Sequence, residues 1–201
     1  MKIPILDRII LLVMCHAAGY QIITGVEGLA TLPLIAYTVG FGVLLVAGLL
    51  LIILGFEVLD SPIVVIVSTV IPLSLSLGLV WEHLAAYRTV YLVFVIFGFL
   101  AILLTRLLPL RSKLPVLVLA IVHGVAGLVI FILPIYLSIT GQAAPGFSLV
   151  GVGGGLIGLG GLLLSFLKAG KPILSRQTIL KVLPALLLAM TAAFVAGFHF
   201  G

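Results

Sequence analysis

The sequence is a succession of long apolar runs, each parted from the next by a few polar residues, and this pattern limits the fold more than any single motif. The runs extend from Ile9 to about Leu29, Pro33 to Gly55, Pro62 to His83, Thr89 to Thr105, Leu114 to Ser138, Phe147 to Leu167 and Ile179 to Phe198. A helix needs roughly 20 apolar residues to cross a bilayer, and each run meets or approaches that length. The runs are continuously apolar and do not alternate, so helices are expected rather than the strands of a barrel. The expected fold is an all-α polytopic transmembrane bundle, a single domain over residues 1–201 with about seven spans.

Composition closes off the soluble alternatives. Only 7% of residues are charged and 64% are hydrophobic, with a mean hydropathy of +1.52, whereas a soluble domain carries about 25% charged residues. No water-facing surface can be built from so few. The formal net charge of +5 does not point to nucleic acid, because the basic residues sit in short turns and form no basic face. Anionic phospholipid at the cytoplasmic surface fits them better.

The turns are chemically sensible. Gly55 to Pro62 makes one, with Pro62 at a helix start, and Thr140 to Gly146 makes another. Pro109–Lys113 and Gly170–Pro172 are basic turns. The tightest break is Ala30, Thr31 and Leu32 before Pro33, and a six-span count that fuses the first two runs is the main alternative. With the N-terminus in the cytoplasm, nine of the ten lysines and arginines fall inside and only Arg88 falls outside. That bias is what the positive-inside rule requires of an odd number of spans. It puts the C-terminus outside and suits a multi-pass protein of the cell membrane.

The single cysteine, Cys15, lies in the first run and is read as a small buried hydrophobe. Met14 is bulky for a lipoprotein cleavage before it, and Asp7 argues against a secretory leader.

Ionisable groups within a membrane are costly and are functional candidates by default. His16 lies eight residues beyond Arg8, roughly 12 Å along a helix, and His123 ten beyond Lys113, roughly 15 Å. These two share a depth on different spans, while His83 and His199 close the third and seventh spans near the opposite surface. Two histidine pairs at two levels match the layout of membrane b-type cytochromes, where facing imidazoles ligate haem b. Gly19, Gly124 and Gly127 flank the deeper pair and could leave room for the macrocycle. The structural alternative is that the histidines bond neighbouring helices or sit at the wet interface.

The sixth run is crowded with glycine. Gly151 with Gly155, and Gly154 with Gly158, give the small-xxx-small spacing of closely touching helices. The same face could admit a lipid, a quinone or a cofactor edge. Glu27, Glu82, His83, Arg88 and His199 form a polar set at one surface, without a recognised metal spacing. Pro72, Pro134 and Pro184 fall within spans and each frees a carbonyl. In transporters such breaks mark binding sites. The acids all fall near span ends or turns, which speaks against proton or sodium coupling at the midplane. No serine lies in a nucleophile-elbow sequence.

The leading expectation is thus a small membrane subunit of an electron-transfer complex, not an enzyme on its own, holding haem b through His16 and His123 with His83 and His199 as a second pair. Partners would be the lipid bilayer, other membrane subunits and quinone. The alternatives are a non-catalytic scaffold or assembly subunit docking through its glycine-rich span, and a transporter or channel for a small solute.

Overall fold

A computed structural model describes residues 3–108, 113–168 and 173–201, all but residues 165, 166 and 168 with their side chains. The expected basic turns lie largely outside the described residues, and with them Lys2, Arg111 and Lys171.

The described residues form seven helices long and apolar enough to cross a membrane, and no strand. They are α1 (Ile5–Thr24), α2 (Thr31–Leu54), α3 (Pro62–His83), α4 (Arg88–Leu107), α5 (Leu114–Ile139), α6 (Ser148–Lys168) and α7 (Arg176–Phe200). Pro62 opens α3 at its first position, where the missing N–H would have no partner in any case. Inside α3, the Ser76 hydroxyl donates to the Pro72 carbonyl at 2.6 Å.

The first two runs are separate helices, which excludes the fused six-span count. The first boundary nevertheless moves. The run expected over Ile9–Leu29 is helical over Ile5–Thr24. Gly25 adopts φ +64° and Gly28 φ +77°, a region that costs a side chain dearly and glycine almost nothing. The Gln21 side chain seals the end by donating to the Gly25 carbonyl at 2.6 Å. Val26 and Leu29 carried the apolar signal past that stop.

Each helix packs on its neighbour in sequence, and α1 packs also on α7, closing a ring. Because α3 contacts α5 directly, α4 lies outside the ring against those two helices. Correspondingly 67% of the most apolar stretch of α3 is buried and only 11% of that around α4. The main core joins Tyr37 and Phe41 of α2 to Phe194 and Phe198 of α7, with the Tyr37 and Phe198 rings 4.6 Å apart. A smaller cluster, with Ile66, Leu73, Ile102, Val122 and Ala126, fixes α4 to α3 and α5. One end of the bundle, with α4 ending and α7 beginning, carries Arg106 and Arg176 and is the basic end.

Candidate functional site

At the basic end a cleft of about 400 Å³ opens between the helix termini. Its charged lining is Asp60, Arg106 and Arg176; its apolar lining includes Phe56, Leu59, Leu164 and Leu180. Four local features place these groups. Gly55, with φ +82°, ends α2 and turns the chain into a short 3-10 turn over Phe56–Asp60, which buries Phe56 and presents Asp60. Arg106 comes from the last turn of α4, and Leu164 from the last turns of α6. Arg176 is the first residue of α7, whose N-cap Ser175 accepts the Thr178 N–H at 3.1 Å.

Asp60 and Arg176 are joined by an ion pair at 3.0 Å, both side chains more than half exposed. At that exposure the pair contributes about 0–1 kcal/mol, so it is easily exchanged. Arg106 differs. Its Nε is enclosed and has no hydrogen-bond partner among the described residues. A buried donor left unmet costs about 1–3 kcal/mol, more when it belongs to a charged group. The helix dipoles do not offset that charge, since α3 and α7 bring positive ends to the cleft and α4 and α6 negative ones. Two guanidiniums and the Asp60 carboxylate line the cleft, and the Glu57 carboxylate on the same turn feels both Arg176 and Asp60. The size of the cleft falls in the roughly 300–1,000 Å³ range of small-molecule sites. Chemically it can hold an anion carrying apolar substance.

The histidines are not gathered in this way. His16 is exposed on α1, and its Nδ1 lies 2.8 Å from the Leu12 carbonyl one turn back on its own helix. His123 is half-buried on α5, one helical turn beyond Leu119. Since α1 packs on α2 and α7, and α5 on α3, α4 and α6, the two helices do not pack together. The outward position of His16 on α1 and the lack of packing between α1 and α5 mean that the structure does not bring the deeper histidine pair together. At the other end His83 stacks on Phe147, ring centroids 5.2 Å apart, while His199 is exposed and stacks on Phe200. Arg88 donates to the Trp81 carbonyl and lies 5.7 Å over its ring. Among the described residues no three histidine, cysteine or acidic side chains are near enough to hold a metal ion.

Comparison with protein-family models, curated proteins and solved structures finds no match.

The glycines of α6 divide in two. A β-carbon on Gly151 would lie 2.7 Å from the Phe131 carbonyl oxygen, and one on Gly154 2.8 Å from the backbone of Ile130. On Gly155 it would meet the Phe131 ring at 3.2 Å. That stretch of the face is taken up by α5, with no space for a cofactor edge or a partner helix. Gly158 is exposed and looks into open space.

In the sequence Arg106 and Arg176 stand out only as evidence of orientation. A signal was present: Arg106 interrupts Leu103-Leu104-Thr105 and Leu107-Leu108, so its side chain begins inside apolar surroundings. That the loop carrying Asp60 and the start of α7 meet it there is a tertiary fact.

Proposed function

We propose that this protein is a multi-pass binding or transport protein of the cell membrane that takes up a small anion with apolar character at its basic end. One observation carries the reading: the enclosed, unpartnered Nε of Arg106 in a cleft lined by both apolar and charged side chains. A guanidinium so placed is stabilised by an anion that accepts its free donor. The reading takes up the small-solute alternative and moves its site from the intraspan prolines to the helix ends. Electron transfer through a His16–His123 haem has no support from the placement of α1 and α5. Docking through Gly151, Gly154 and Gly155 has none either, because α5 already covers them.

The test is thermal unfolding of purified protein in a neutral detergent, titrated with phosphate, sulfate, short-chain and long-chain carboxylates. At least one anion is expected to raise the melting temperature by a few degrees, with about 1 kcal/mol corresponding to roughly 2–4 °C for a domain this size. Arg106→Gln is expected to abolish that rise. If no anion stabilises the wild-type protein more than the variant, the reading fails.

A further inference from the structure

We propose that the ligand group held in the basic-end cleft is a phosphate ester, that it belongs to an acidic phospholipid, and that Asp60 competes with it for Arg176. The inference rests on the anion-binding reading of the cleft and specifies its occupant.

The depth of the site argues for a lipid. Arg106 stands in the last turn of a spanning helix and Arg176 at the first residue of another. Both guanidiniums are thus at the level where a bilayer keeps its phosphates, and basic pockets between spanning helices are suited to acidic headgroups. The lining argues the same way. Beside the charged groups, Leu59, Leu164 and Leu180 present a surface that a hydrated inorganic ion would leave unsatisfied and that glycerol and acyl carbons would cover.

Phosphate suits the two arginines better than a single carboxylate does. A phosphodiester has two unesterified oxygens on a tetrahedral centre, so one can meet the free Nε of Arg106 while another meets Arg176. Carboxylate oxygens lie in one plane and are best served by a single guanidinium fork. In the structure the place of the second contact is taken by Asp60 Oδ2, 3.0 Å from the Arg176 guanidinium. Asp60 lies on the connection between α2 and α3 and is tied to neither helix by that bond. An incoming phosphate would therefore exchange one anion for another at Arg176 while giving Arg106 a partner it lacks.

This makes a prediction of unusual sign: removing the acid should strengthen binding. Native mass spectrometry of the full chain, released from neutral detergent, can compare retention of phosphatidylglycerol, phosphatidic acid and phosphatidylcholine, with inorganic phosphate as a separate arm. Phosphatidylglycerol and phosphatidic acid adducts are expected and phosphatidylcholine adducts are not. Arg106→Gln should lower acidic-lipid retention about tenfold, the worth of one charge-assisted hydrogen bond. Asp60→Asn should raise it about threefold, the scale of an exposed ion pair. That gain cannot come from misfolding. Arg8→Gln, a charge change on α1 outside the cleft lining, should leave retention unchanged.

An equal loss in Arg8→Gln and Arg106→Gln would mean diffuse surface charge and overturn the site. No gain in Asp60→Asn would overturn the competition. Arg106-dependent binding of inorganic phosphate without lipid adducts would overturn the lipid while leaving an anion site in place. Stabilisation by carboxylates alone would overturn the phosphate while sparing the broader reading.

Discussion

Gly154 and Gly158 are four residues apart on the same helix and indistinguishable by type, yet a methyl group separates them. A β-carbon at Gly154 would come within 2.9 Å of the Ile130 and Phe131 backbone, which cannot swing aside as a side-chain tip can. At Gly158 nothing lies within 4 Å. Gly154→Ala should therefore push α5 from α6 and destabilise the bundle by about 1–3 kcal/mol, the usual cost of overpacking a filled interface. Gly158→Ala should change stability by less than about 1 kcal/mol, and in the favourable direction if helix propensity alone acts. Thermal unfolding in one detergent compares them directly; equal losses would mean that the α5–α6 contact is looser than the structure has it. The same residue-level contrast separates the histidines. His16 is exposed on α1 and His123 half-buried on α5, although both lie at similar depth in the sequence.

At the scale of the helices, the sequence announced the spans well and their faces hardly at all. Existence was legible because a run of apolar residues of bilayer length has one economical fate in lipid. The third span was expected at Pro62–His83 and is found there, since proline starts it and Glu82-His83 ends it. Faces were illegible for a physical reason: lipid tails are as apolar as leucine, so outward and inward positions carry the same residue types and only small residues mark contacts. That is why depth-matched His16 and His123 looked like a pair although α1 and α5 do not pack together. The end of α1 shows what apolarity cannot report, namely a backbone stop at Gly25. A direct check uses single cysteines in a Cys15→Ala background and open membrane sheets, so that both surfaces are reached. Glu27→Cys, exposed beyond the helix, should react quickly with a membrane-impermeant maleimide, and Val13→Cys, exposed only to the apolar surroundings of α1, should not. Equally slow labelling at both positions would carry the span on to Leu29.

For the molecule as a whole, the decisive quantity is which end of the ring faces the cytoplasm. Seven spans put the termini on opposite sides. Lysine and arginine close to span ends resist translocation, and the acids count for little in that balance. Assigning the basic end to the cytoplasm keeps nine of the ten basic residues inside and sends out Arg88 alone. Arg88 is also the basic residue that is held against a tryptophan, its guanidinium 5.7 Å from the Trp81 ring, an arrangement suited to an interfacial anchor. A phosphatase that folds only outside the cytoplasm, fused after Gly201, should therefore be active, and a fluorescent protein that matures only inside should stay dark there. Fused to the N-terminus the two reporters should exchange outcomes. The orientation bears on the cleft as well. Acidic lipids concentrate in the cytoplasmic leaflet, and each basic residue near that surface gains about 1 kcal/mol from it. With the predicted orientation, Arg106 and Arg176 meet the leaflet richest in their proposed ligand. A fluorescent C-terminal fusion would invert the bundle, expose nine cations to the outer surface against the insertion rule, and remove that supply of ligand from the cleft.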